Sequence, residues 1–145
     1  VYTGTGDTTN RPIQIGGVAT GAVNATIANN GTGALVFTAA AFNAPVAMTG
    51  GAARTLVLGG SFGTTATPNE VQGVIADNTL NGAAAGTNVV SLSKSGAGTW
   101  KISGANTYSG TTSITGGTLL LGANNVLPST TNVTLGAATL DADTR

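Results

Sequence analysis

The sequence predicts an all-β chain wound as a parallel β-helix, a single-strand β-solenoid of short strands, and three observations carry that prediction. First, apolar residues at Val90, Leu92, Trp100, Ile102, Ile114, Leu119 and Leu121 alternate with Ser, Thr or Lys inside short runs. A period of two belongs to strands. Second, the runs are parted by Ser95-Gly96-Ala97-Gly98, Gly104-Ala105-Asn106 and Gly116-Gly117, residues that let a chain turn sharply at little steric cost. Hairpins usually mark themselves with two-residue Asn-Gly or Asp-Gly turns, and these corners are longer. Third, of 145 residues only 7% are charged and 4% aromatic, while 23 are glycine. Roughly 25% charge is usual for a globular domain. Such a composition describes a narrow interior lined by small and β-branched side chains, with each coil supplying the next coil's hydrogen-bond partners.

Taken in order, residues 1–10 are polar and turn-forming, and Ile13 and Ile15 share one face of a first short strand ended by Gly16-Gly17. Ala25 to Phe37 is an internal echo of the later motif. Setting Ile27 to Phe37 against Leu92 to Ile102 matches apolar with apolar and both glycines, so Leu35 is expected in the place of Trp100 and Phe37 in that of Ile102. Thr38 to Gly51 reads as strands around Ala41 to Phe42 and Val46 to Met48, because Pro45 follows the alanines too closely for more than one helical turn. Arg54 to Leu58 is a strand with Leu56 and Leu58 inward, and Ser61 to Asn69 is a loop wide enough to protrude. Val71 and then Val74 to Ile75 resume the wall, and Asn81 to Thr87 forms a small-residue loop. Val133 to Leu135 and Thr139 to Asp141 supply the last coil. Strong strands such as those of Leu35 and Leu56 recur at roughly 20 residues, the order of one three-sided rung, which makes about six or seven rungs standing about 30 Å tall.

The order Leu92-Ser93-Lys94-Ser95-Gly96-Ala97-Gly98-Thr99-Trp100, then Ile102 to Thr112, then Gly116 to Gly122 resembles the autotransporter-associated β-strand repeat, also called the passenger-associated transport repeat. The likeness is best over residues 89–122 and extends back through Gly73 to Asn78. It implies a right-handed coil at the exterior of a bacterial cell, in a passenger, adhesin or filament, with no catalytic residue belonging to the repeat. The motif positions are Leu92, Gly96, Gly98, Trp100, Ile102, Asn106, Tyr108, Gly117, Leu119 and Leu121. Residues 1–145 then form one segment of a longer array, extracellular or on the cell surface.

Composition narrows the function classes. With neither Cys nor His in the chain, zinc sites built on them, Ser-His-Asp triads and thiol chemistry are closed. Disorder is disfavoured, since disordered chains combine low hydrophobicity with high net charge and here the net charge is zero and the mean hydropathy +0.25. Zero net charge without a basic cluster also argues against nucleic acid. No apolar run of about 20 residues is present, so no signal peptide or membrane span is expected in this segment. Parallel β-helices also host polysaccharide lyases and hydrolases, which need converging carboxylates; the acids Asp7, Glu70, Asp77, Asp141 and Asp143 are scattered, and no enzyme and no cofactor are expected. Gly4 to Asp7 has the flavour of a calcium loop but is not repeated, so no metal is expected. An ice-binding surface would need threonines in one register, and Thr3-Gly4-Thr5 is isolated.

What remains is structure and contact. Apolar interiors stacked rung on rung leave both ends uncapped, so copies of the chain or adjacent repeats are expected to stack end to end. Val36, Val57 and Leu120 break the polar outward pattern and are candidates for lateral homotypic contact. Thr64, Thr65, Asn69 and Asn81 are candidates for glycan contact in the loops. Trp100 follows the apolar phase and is expected in the core rather than stacked on a sugar, Tyr108 covers the edge of its bend, and Asn106 is a candidate to ladder with an equivalent Asn of another coil.

Overall fold

The computed structural model describes residues 1–15, 22–42, 52–78 and 88–142. Among them are eleven strands and no helix. They are β1 (Asp7–Thr9), β2 (Val23–Asn29), β3 (Leu35–Phe37), β4 (Arg54–Gly60), β5 (Asn69–Val71), β6 (Val90–Lys94), β7 (Thr99–Ile102), β8 (Thr112–Ile114), β9 (Thr118–Leu121), β10 (Val133–Leu135) and β11 (Thr139–Asp141). Odd-numbered strands form one sheet in the order β1-β3-β5-β7-β9-β11, and even-numbered strands the other in the order β10-β8-β6-β4-β2. Every pair is parallel. The chain therefore changes sheet at each corner and meets its own previous coil one turn later, as a parallel β-helix requires. The first rung reaches the even sheet only through a bridge from Tyr2 to Asn29, which brings the stack to six rungs.

A third, irregular wall closes the coil. The amide of Ile13 donates to the Phe42 carbonyl at 2.6 Å, Phe42 to Val74 at 2.9 Å and Thr107 to Ile75 at 2.9 Å, so backbone groups are paired there without regular strands. The expected strand at Ala41 to Phe42 is a single bridge from Ala41 to Val74; Val46 to Met48 lie outside the described residues.

Register puts like upon like. In the even sheet Leu56 pairs with Leu92, Leu92 with Thr112 and Thr112 with Val133, while Leu58, Lys94, Ile114 and Leu135 form the next inward row. In the odd sheet Trp100 lies on Leu119 and Leu119 on Leu140, with Phe37, Val71, Ile102 and Leu121 beside them. Trp100 is fully buried, stacks on Phe37 at 6.4 Å between ring centroids, and donates its indole N–H to the Gly59 carbonyl at 2.9 Å. Each fully buried aliphatic side chain of this core contributes about 1.5–3 kcal/mol.

The echo between the two halves holds in one strand and slips in the other. Val36 pairs with Glu70 and Glu70 with Lys101, so Leu35 does occupy the place of Trp100 and Phe37 that of Ile102. Ile27, however, pairs with Leu58 and through it with Lys94; Ala25, not Ile27, stands in the row of Leu92. The corners between paired strands differ in length, and a glycine match through them shifts the register by two. Rung length is likewise uneven. Bonds joining neighbouring coils span 20 residues at Ser91–Thr111 and at Asn106–Val126, but 31 at Ile75–Asn106 and 34 at Leu35–Asn69. The spacing from Leu35 to Leu56 is no rung repeat, because the two residues lie in different sheets.

Candidate functional site

The polar side chains that matter most point into the coil. Lys94 belongs to the inward row between Leu58 and Ile114 and is fully buried. Its Nζ donates to the carbonyls of Ser95 at 2.8 Å, Gly96 at 3.0 Å and Gly116 at 3.0 Å. One ammonium thus ties the corner after β6 to the corner after β8. Burial pulls its pKa down to about 8, against the carbonyls, which favour the charged form.

Asn69, expected in a protruding loop, is instead fully buried at the start of β5. Its Oδ1 accepts from Asn29 Nδ2 at 2.6 Å and from the Leu35 amide at 3.0 Å. Its Nδ2 donates to the carbonyls of Phe62 at 2.9 Å and Thr99 at 3.1 Å. A buried amide surrounded by groups that would otherwise lack partners is held there by their desolvation cost. This is the asparagine ladder expected of Asn106, formed one corner earlier. Asn106 braces the third wall without an asparagine partner: its Oδ1 accepts from the Ile75 amide at 2.8 Å and its Nδ2 donates to the Val126 carbonyl at 2.8 Å.

Tyr108 is fully buried rather than covering an edge, and its hydroxyl meets Thr112 Oγ1 at 2.6 Å. Burial raises its pKa, against the opposing hydrogen bonds of Thr112 and Thr131. Neither Trp100 nor Tyr108 presents a ring to solvent, which removes a sugar-stacking role for both. Of the motif glycines, Gly96 and Gly117 have φ of 71° and 63°, conformations that favour glycine. At Gly98 an added Cβ would run into the Phe62 carbonyl of the coil beside it.

The apolar stripe does not form. Val36 and Leu120 share one outward row of the odd sheet, Val36–Glu70–Lys101–Leu120, while Val57 sits on the even sheet between Thr26 and Ser93. Leu120 is also 5% exposed, so it offers little surface to a neighbour. In the same outward row Glu70 meets Lys101 at 3.3 Å, accepts from Ser103 Oγ at 2.5 Å and from Gln72 Nε2 at 3.2 Å. Burial pushes the Glu70 pKa up, but these bonds and the Lys101 ammonium outweigh it and hold the carboxyl below its ordinary value. The outer face of the even sheet carries Asn24, Thr55 and Ser91 in one row and Thr26, Val57, Ser93, Ser113 and Thr134 in the next, with no charge.

The acids are held apart by separate partners. Asp77 accepts from the amides of Val90 at 2.8 Å and Ser109 at 3.0 Å and from Ser109 Oγ at 2.6 Å, tying a corner to the following coil. Asp7 lies on β1 rather than in a calcium-type loop, and its Oδ1 accepts from the Thr8 amide at 2.8 Å. Among the described residues no three His, Cys, Asp or Glu side chains gather as a metal cluster, and no helix is long and apolar enough to cross a membrane. In the protruding loop Thr64 and Thr65 are exposed, with Thr64 Oγ1 meeting Thr67 Oγ1 at 3.0 Å. Asn81 and Asp143 lie outside the described residues.

The ends of the coil differ. On β10, Val133 and Leu135 continue inward rows yet are 43% and 52% exposed, because no described strand pairs on their far side. On β1, the residues continuing the rows of Leu35 and Phe37 are Asp7 and Thr9. Both ends were expected to lack polar caps; the first rung carries polar residues where the last carries aliphatic ones.

Residues 92–121 match the passenger-associated-transport-repeat family model. They run from β6 through β9, the stretch that holds the Lys94, Asn106 and Tyr108 braces. No curated protein and no solved structure matches the chain.

Proposed function

We propose that this chain is a structural repeat module of a secreted or cell-surface bacterial β-solenoid, which extends and spaces what it is joined to and has no catalytic role. The observation that supports this reading is the parallel ladder of coil on coil, braced between neighbouring coils across the stretch that matches the repeat model. Val133, Leu135 and Leu140 continue inward rows onto β10 and β11, whose outer edges pair with no described residue, and one more rung would bury the rows and pair the edges. Adjacent repeat rungs suit that end better than a second copy of this chain, whose first rung would set Asp7 over Leu140. Stiffness comes from braces that each span neighbouring coils, and the outer face of the even sheet offers no charge to a partner.

The test is to lengthen the chain at its C-terminal end by a further copy of residues 112–131, one short rung. A stacked rung raises the unfolding midpoint by about 2–8 °C and resists protease with the rest of the coil. An unchanged midpoint with a protease-sensitive extension overturns the reading. A second reading, an adhesin segment that binds glycans through its loops, is favoured by the exposed Thr64 and Thr65 of the protruding loop.

A further inference from the structure

The corner after β9 lies over the corner after β7 and leaves between them a cleft of about 480 Å³ in the third wall. That is within the range of about 300–1,000 Å³ typical of small-molecule sites. Thr107, Asn125, Ser129 and Thr130 line it with hydroxyl and amide groups, and Leu127 and Pro128 add an apolar flank. No acid or base is among the lining residues.

Three observations make the walls firm. Asn106 at the back has both ends of its amide engaged, with Ile75 and with Val126. The amide of Thr131 donates to the Pro128 carbonyl at 3.1 Å, closing the turn that carries Ser129 and Thr130. Asn125 has φ of 57°, a left-handed conformation that Asn tolerates better than most residues, and the turn therefore holds a polar side chain where glycine would be the commoner choice. The side chains of Thr107, Asn125, Ser129 and Thr130 are exposed, and none makes a hydrogen bond to the described residues. They are free to serve a ligand.

Uncharged donors and acceptors around a small aliphatic flank suit a ligand that is itself uncharged, rich in hydroxyls and apolar on one face. Neither lysine is available to recruit an anion here: Lys94 is spent on carbonyls inside the coil and Lys101 pairs with Glu70 on the odd sheet's outer face. We propose that this corner binds a short neutral saccharide. The inference rests on the adhesin reading but moves the contact from the 61–69 loop to the cleft of Thr107, Asn125 and Ser129.

The test is an NMR titration of the isotopically labelled chain with neutral oligosaccharides of glucose, galactose and mannose, with sialyllactose and a heparin disaccharide as charged controls. The expected result is saturable shifts at Asn125, Ser129 and Thr130 with at least one neutral sugar and none with the charged pair. Asn125→Gly keeps the turn, since glycine accepts its φ, and weakens binding at least tenfold. Ser129→Glu does the same by adding charge, while Thr26→Glu on the outer face of β2 leaves binding unchanged; each variant's unfolding midpoint confirms its fold. No saturable shift with any neutral sugar, preferential binding of the charged pair, or unaltered affinity in a folded Asn125→Gly overturns the proposal. Saturable shifts confined to Thr64 and Thr65 overturn this inference and keep the adhesin reading, whereas a chain that ignores every saccharide overturns both.

Discussion

Lys94 shows how one side chain can decide the coil's response to pH. Its pKa, near 8 in the fold against 10.5 ordinarily, means that between those values the unfolded chain holds a proton the folded chain has released. The contribution of Lys94 is therefore least favourable below pH 8 and rises as the pH climbs from about 8 towards about 10. Above about 10 the raised pKa of buried Tyr108 acts in the opposite sense, since the unfolded phenol then ionises first. Urea unfolding at closely spaced pH values from 7 to 10 will show the rise. Lys94→Met fills similar volume but leaves the carbonyls of Ser95, Gly96 and Gly116 without their donor. It is expected to cost about 2–4 kcal/mol at pH 7 and to flatten the profile between pH 8 and 10. A Met variant that keeps the wild-type slope would assign the titration to another group.

At the scale of strands and corners, the fold depends on contacts between coils. Asn69→Leu removes the acceptor of Asn29 and Leu35 and the donor to Phe62 and Thr99 at once. An expected loss of about 3–5 kcal/mol would be read from chemical denaturation, with Thr65→Ala in the exposed loop near neutral. Gly98→Ala drives a methyl group into the Phe62 backbone, and its expected cost, about 2–4 kcal/mol, should exceed that of Gly136→Ala, where a Cβ has 3.5 Å of room from the nearest atom. The strands from β6 to β9 were legible in the sequence because apolar residues recur there at every second position, as at Val90 and Leu92, Trp100 and Ile102, and Leu119 and Leu121, with Leu120 and the inward Lys94 as the exceptions. Alternation also places Lys94 inward, two positions after Leu92, although its charge argues for solvent. The buried position of Asn69 was not legible, since a polar residue after Pro68 reads as loop until the neighbouring coil supplies Asn29 and Thr99. Register across the first coils was hidden for a related reason: corners of unequal length separate the strands, so a match of glycines gives no alignment of Ile27 with Leu58. The corner cleft draws its lining from Thr107 and from residues 125–130, stretches with no motif of their own. Its one sequence signal is Asn124-Asn125, a pair suited to a turn with positive φ.

The whole molecule has a direction, set by what occupies its inward rows at each end. A second copy laid on β11 through its own β1 would bring Asp7 over Leu140 and Thr9 beside it. Burying a carboxylate there with no cation and only the Thr8 amide as donor costs several kcal/mol, which the pairing of two three-residue strands does not offset. Wild-type chains are therefore expected not to join head to tail through these two strands. Replacing Asp7→Leu and Thr9→Val extends the rows of Leu35 and Phe37 to the first rung and removes the penalty. The double variant should form chains whose length grows with concentration, seen as a rising weight-average mass in sedimentation, while Thr8→Val on the outer face of the same strand should not. Equal sedimentation of a folded double variant and the wild type, or wild-type chains that already join end to end, would show that something other than the inward rows fixes the direction of stacking.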